Sequence, residues 1–135
     1  MPYRVCEEIH FCYGHRLLGF DGPCRHPHGH NARVQVFLKG DRLDSQGMLY
    51  EFGHLKRLLK SWIDETLDHR MVLQREDPLV QALQGLGEPV CVVEGHPTAE
   101  FLAKMIFDFA VAQGLPVEEV RLGETETSWA SYGKS

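Results

Sequence analysis

The chain predicts an α+β fold with an antiparallel sheet. Three observations carry that expectation: apolar residues alternate along the first forty positions, two later stretches repeat them at helical spacing, and the tail alternates again.

The elements follow in order. Over residues 3–13, Val5, Ile9, Phe11 and Tyr13 share one parity and Cys6, Glu8, His10 and Cys12 the other, the pattern of a half-buried strand. Gly14 is expected to interrupt it, with His15 resuming the apolar parity. Gly19, Gly22, Pro23 and Pro27 make residues 16–27 a loop. Residues 32–38 alternate again, with Val34, Val36 and Leu38 facing one way. His28 and His30 carry the same parity as Val34 and Val36, so antiparallel pairing of the two strands would bring His15 to them at the loop end of a hairpin. A slip of one residue would destroy that meeting.

Gly40 to Gly47 is a polar connection. A helix is predicted over 52–67, with Phe52, Leu55, Leu58, Leu59, Trp62 and Ile63 as its apolar stripe. Residues 79–84 suggest a short helical turn, broken by Gly85, Gly87 and Pro89. Residues 89–93 then read as a short buried strand or an extended link. A second helix opens at Thr98, a good N-cap, with Glu100 in the first turn against the helix dipole. Leu102, Met105, Ile106 and Phe109 form its stripe, Gly114 ends it and Pro116 blocks continuation. Residues 117–132 read as two strands joined near 124–128. With no repeat, low-complexity tract or linker, residues 1–135 are expected to form one domain.

The composition, 43% hydrophobic and 24% charged, is that of a globular protein. A net charge of −5 without a basic cluster argues against nucleic acid or an anionic membrane as partner. Arg4, Glu7, Glu8 and His10 interrupt any apolar leader, and no run approaches the roughly 20 apolar residues of a membrane span. The four cysteines, Cys6, Cys12, Cys24 and Cys91, form no CxxC pair. A cytoplasmic protein with reduced thiols is therefore expected.

The chemistry concentrates in Cys24-Arg25-His26-Pro27-His28-Gly29-His30. His28 and His30, two apart on an extended strand, point to one face, and His15 supplies a third imidazole. Three neutral imidazoles with one open position describe a catalytic zinc site better than a closed structural one. Nickel, iron or copper would accept the same ligands. His26 shares the parity but is set aside because Pro27 breaks the strand geometry. Cys24 is a base or nucleophile beside the metal rather than a ligand, since a nearby cation favours thiolate. Asp68-His69, after the first long helix, offers a carboxylate that orients an imidazole for acid–base work. Glu124 offers a carboxylate for two N–H groups of a guanidine-like edge.

Phe11-x-x-x-His15-Arg16-Leu17, Cys24-x-x-x-His28-Gly29-His30, Leu67-Asp68-His69, Pro97-Thr98-x-Glu100 and Glu124-Thr125 stand in the order found in the 6-pyruvoyltetrahydropterin synthase / 6-carboxytetrahydropterin synthase family. The resemblance spans about His10 to Glu126. The three-residue gap between Cys24 and His28 resembles the carboxy branch, the queuosine-pathway enzyme.

The resemblance implies a tunnelling fold, in which four-stranded sheets with helices on one face join into a barrel, usually as a hexamer of two stacked trimers with sites between subunits. It implies zinc on His15, His28 and His30, proton transfer by Cys24 with Asp68 and His69, and pterin anchoring by Glu124, with Thr98 and Glu100 in the same motif set. The implied substrate is 7,8-dihydroneopterin triphosphate, and the products are 6-carboxy-5,6,7,8-tetrahydropterin, acetaldehyde and triphosphate. The rivals are the pyruvoyl branch, a branch making a 6-hydroxymethyl pterin, which Cys24 argues against, and a non-catalytic metal- or pterin-binding protein. Gly123 before Glu124 departs from the family pattern, as do the Phe11-Cys12-Tyr13-Gly14 lead-in and the long segment 74–97. Arg16, Arg25, Arg33 and Lys104 are the cations available for a triphosphate.

Overall fold

A long hairpin organises the molecule. In the computed structural model, which describes residues 1–134, β1 (Tyr3–His15) pairs antiparallel with β2 (His28–Gly40) along their whole length, from Tyr3 opposite Gly40 to His15 opposite His28. The expected parity holds: Ile9, Phe11, Tyr13, Val34, Val36 and Leu38 are buried on one face. The strand does not stop at Gly14, contrary to the sequence expectation. Gly14 pairs with Gly29 on one side and Met71 on the other, and its amide donates to the Arg70 carbonyl at 2.9 Å. A Cβ at Gly14 would displace the Met71 sulfur, so the missing side chain makes room for close packing and does not break the strand.

The remaining elements are α1 (Phe52–Thr66), β3 (Met71–Gln74), α2 (Leu79–Gly85), β4 (Val90–Val93), α3 (Ala99–Ala112), β5 (Val117–Gly123) and β6 (Trp129–Gly133). The sheet has six strands in the order β4-β3-β1-β2-β5-β6, not four. It is mixed rather than antiparallel, because β3 runs parallel to both β1 and β4. The α1 crossover makes the parallel β1–β3 pairing possible. Val72 and Leu73 are adjacent and both fully buried, so β3 shows no alternation in the sequence.

The helices lie against the apolar face. Leu55, Leu59 and Ile63 of α1 and Leu102, Ala103, Ile106 and Ala110 of α3 are wholly buried over Val34, Val36, Val120 and Leu122. Each fully buried aliphatic side chain contributes about 1.5–3 kcal/mol. Trp62 and Phe109 stack at 4.4 Å between ring centroids and join α1 to α3. Phe52, expected in the stripe, is exposed because it stands at the first residue of α1. Thr98 caps α3 as expected, accepting from the Phe101 amide at 3.1 Å. Among the described residues, no helix is long and apolar enough to cross a membrane.

Candidate functional site

The hairpin register sets the site. His15 stands directly opposite His28, and Tyr13 opposite His30, so all four side chains face the same side of the sheet. The three imidazole centroids lie 4.5–5.0 Å apart, and one ring nitrogen from each falls within 4.8 Å of the others. His30 Nε2 lies 3.1 Å from His15 Nε2.

Backbone carbonyls orient two of the rings. His15 Nδ1 donates to the Pro97 carbonyl at 2.6 Å, and His28 Nδ1 donates to the His26 carbonyl at 2.7 Å. Each neutral ring is thereby left with Nε2 as its lone pair, the arrangement found where imidazoles ligate metals. Burial pushes the His15 pKa down, partly offset by the Pro97 bond, so the neutral form is favoured. The unprotonated Nε2 of His15 faces another ring nitrogen at hydrogen-bond distance. A cation among the three rings satisfies that geometry, and the donor set fits zinc.

Asp68 and His69 form the second cluster. The carboxylate accepts from the Cys12 amide through Oδ1 at 3.0 Å and from His69 Nδ1 through Oδ2 at 2.8 Å. Burial raises the Asp68 pKa, but the Cys12 amide and the His69 ring together hold it below the ordinary carboxylate value. His69 adopts φ 59°, and its amide donates to the Cys12 carbonyl at 2.7 Å. A positive φ is uncommon for a residue with a side chain and is tolerated here because β1 pins the backbone. A cavity of ≈ 620 Å³ runs from His28 and His30 to His69, Arg70 and Met71. His28 and His30 of the cluster and His69 of the acid–base pair therefore line one space.

The other sequence-derived residues are placed as follows. Cys24 lies half-buried in a single 3₁₀ turn, Pro23–Arg25, with its carbonyl accepting from the Leu17 amide at 2.8 Å. Its sulfur is not among the atoms that meet at the imidazole cluster. Thr98 has its hydroxyl engaged in the α3 cap, and Glu100 faces solvent; neither lines the cavities beside the histidines. Glu124 is much nearer the cluster than its anchoring role suggests. Its Oε2 lies 3.1 Å from His30 Nε2 and 3.3 Å from His15 Nε2. Among the cations, Arg16 forks onto the buried Asp77 and Lys104 pairs with Asp108 at 2.7 Å. Arg33 and Glu124 line a neighbouring cavity of ≈ 810 Å³.

Sequence reasoning took Tyr13 as a plain core residue. It is only 3% exposed, yet its phenol donates to Glu124 Oε2 at 3.2 Å and its ring meets His15 edge-on at 5.1 Å. Burial and the Glu124 carboxylate both raise its pKa, so it remains a donor. Its parity with His15 was the available signal.

The fold and the His cluster define a tunnelling-fold protein of the pterin synthase type. The chain aligns with an uncharacterized protein of Wolinella succinogenes at TM-score 0.86 and 27% identity, covering 100% of this chain and 99% of that one. It aligns with a Caenorhabditis elegans 6-pyruvoyl tetrahydropterin synthase at TM-score 0.75 and 23% identity, covering 100% and 97%. The sequence profile of the 6-pyruvoyl tetrahydropterin synthase family matches residues 4–135, and the chain belongs to that family. Among similar proteins, a 6-carboxy-5,6,7,8-tetrahydropterin synthase of Haemophilus influenzae is 32% identical over 138 residues, covering 96% of this chain and 98% of its own. One of Aquifex aeolicus is 34% identical and covers 98% of each.

Proposed function

We propose that this protein is a zinc-dependent 6-carboxy-5,6,7,8-tetrahydropterin synthase. It converts 7,8-dihydroneopterin triphosphate and releases acetaldehyde and triphosphate. The observation that carries the reading is the convergence of His15, His28 and His30, two of which, His28 and His30, line a cavity with His69. The likeness to named carboxy-branch synthases over nearly the full chain supports it.

His15, His28 and His30 hold the zinc, which when bound supplies Lewis acidity toward the hydroxyls of the substrate side chain. Cys24, on the turn that leads into β2, moves a proton as thiolate. Asp68 orients His69, and the pair serves as the second acid–base element. Glu124 binds the 2-amino and N3 hydrogens of the pterin ring, a charge-assisted bidentate contact. Thr98 and Glu100 belong to the substrate contacts through the Pro97-Thr98-x-Glu100 motif, approached from a second copy of the chain. The protein self-associates, with a hexamer built as two trimers as the expected assembly, and works in the cytoplasm.

The test is to incubate the purified protein with 7,8-dihydroneopterin triphosphate, with and without a chelator, and identify the products by mass spectrometry. Acetaldehyde with 6-carboxytetrahydropterin, abolished by the chelator, supports the reading. Triphosphate release with every side-chain carbon retained replaces it with the pyruvoyl reaction. Zinc binding without turnover of any dihydropterin replaces it with a binding protein.

A further inference from the structure

A second cluster of metal-ligating atoms stands beside the strand that carries His15. Cys12 has the opposite parity to the buried Phe11, Tyr13 and His15, so its thiol leaves β1 on the other face of the sheet. One ligand atom each from Cys12, Asp68 and His69 lies within 4.8 Å of the other two. Cys24, the thiol of the sequence motif, is not among them. Cys12 belongs to the Phe11-Cys12-Tyr13-Gly14 lead-in, where this chain departs from the family pattern.

The backbone holds the three residues together. The Cys12 amide donates to Asp68 Oδ1 at 3.0 Å, and the His69 amide donates to the Cys12 carbonyl at 2.7 Å. A thiolate, an imidazole and a carboxylate that bind one ion at about 2.0–2.3 Å and tetrahedral angles have ligand atoms about 3.3–3.7 Å apart. That spacing is within reach of side-chain rotation, since the His69 side chain is 78% exposed and can turn. All three residues line the cavity of ≈ 810 Å³, which also carries Glu124 and Glu126 against one arginine, Arg33. This surplus of carboxylates draws a cation rather than an anion. The sulfur and nitrogen donors select zinc, cobalt or cadmium over magnesium and calcium, which take oxygen ligands.

We propose that Cys12, Asp68 and His69 form a second divalent-cation site, separate from the three histidines, and that filling it switches the acid–base pair off. Cys12 gives up its thiol proton to solvent as the ion binds, and the ion takes a ring lone pair of His69 and a carboxylate oxygen of Asp68. The pair then has no group free to move a proton. The site stands without any assumption about the reaction; the switching rests on the acid–base reading of Asp68 and His69 given above.

Cobalt(II) separates the two sites, because a cobalt–thiolate bond adds a charge-transfer absorption in the near ultraviolet that imidazole ligands do not give. The reduced, metal-free protein is titrated with cobalt chloride under nitrogen. The expected result is two cobalt ions per chain, with the thiolate band carrying the intensity of a single cobalt–sulfur bond. Cys12→Ser, close to isosteric, loses the band and weakens that cobalt by more than the about 10- to 100-fold typical of a lost hydrogen bond to a ligand. His69→Asn, which leaves the thiol in place, weakens the same cobalt. Cys24→Ala and His28→Ala keep the band. No thiolate band in the wild-type protein, or a band that survives Cys12→Ser or is lost in Cys24→Ala, overturns the site. Turnover tests the switch. Zinc beyond one ion per chain lowers wild-type turnover of 7,8-dihydroneopterin triphosphate by about 10² to 10⁴, the range for a lost acid–base group, and leaves Cys12→Ser unaffected. Equal inhibition of both proteins overturns the switch. A wild-type protein that shows the band but turns over no dihydropterin refutes the catalytic reading, and the switch with it, while establishing the cation site.

Discussion

The His15 ring is fixed to the Pro97 carbonyl by a 2.6 Å hydrogen bond that joins the end of β1 to the residue just before the α3 cap. The contact ties the imidazole cluster to the helical layer and sets which nitrogen of His15 is free. His15→Ala is therefore expected to lose both a ligand and the anchor of the cluster, and His28→Ala a ligand alone. Both proteins should purify with zinc far below one ion per chain by elemental analysis. Full zinc occupancy in either histidine variant contradicts the ligand assignment.

Arg16 and Asp77 form a pair that the sequence did not suggest. The Arg16 guanidinium holds the Asp77 carboxyl below its ordinary value despite burial, and Asp77 also accepts from the Leu79 amide at 2.8 Å. A folded-state pKa below the unfolded value of about 3.9 means the stabilisation is complete above that pH and is lost as pH falls through the folded value. Asp77→Asn should lower stability near neutrality by about 3 kcal/mol, the low end for breaking a buried pair, because Arg16 keeps some solvent. It should also flatten the acid limb of a plot of urea midpoint against pH. An unchanged acid limb shows that other carboxylates govern the transition.

Much of this architecture was legible because the decisive signals are local. The parity shared by His15, His28, His30 and Val34 fixed the hairpin face, and that face is the one observed. The Thr98 cap and the α3 stripe were equally explicit. The errors fall where local pattern carries no information. Met71–Gln74 is buried on both faces beside a helix end, so neither period nor length separates it from the helix. Its parallel pairing with β1 and β4 depends on contacts far apart in the chain. At the site, the roles of Tyr13 and the Pro97 carbonyl stayed hidden because an apolar parity and a backbone oxygen look the same whether or not they serve a ligand. Arg16, available in sequence for a phosphate, is committed to Asp77 by a neighbour sixty-one positions away.

Cys24 separates proton transfer from metal binding. Its sulfur lies outside the imidazole cluster, so Cys24→Ala should keep zinc and the oligomer. Turnover should fall by about 10² to 10⁴, the range for a lost acid–base group. Steady-state acetaldehyde release together with zinc analysis checks both halves. Normal turnover removes Cys24 from the mechanism, and loss of zinc makes it a ligand.

His69 allows the cost of function to be measured apart from folding. Its φ of 59° puts a residue with a full side chain in the left-handed region, which costs on the order of 1–2 kcal/mol. Asparagine accepts that region more readily than most residues. The hydrogen bond to Asp68 lost with the ring contributes little, since the His69 side chain is 78% exposed. His69→Asn should therefore leave stability unchanged or raise it by up to about 1 kcal/mol in urea unfolding. The same change removes the titratable ring beside Asp68 and should lower turnover by about 10² to 10⁴ at saturating substrate. A residue kept for stability gives the opposite pattern, with activity retained and the urea midpoint lowered. Concurrent loss of both would place His69 in the folding of the β1–α1 junction, where its amide meets the Cys12 carbonyl, and not in the chemistry.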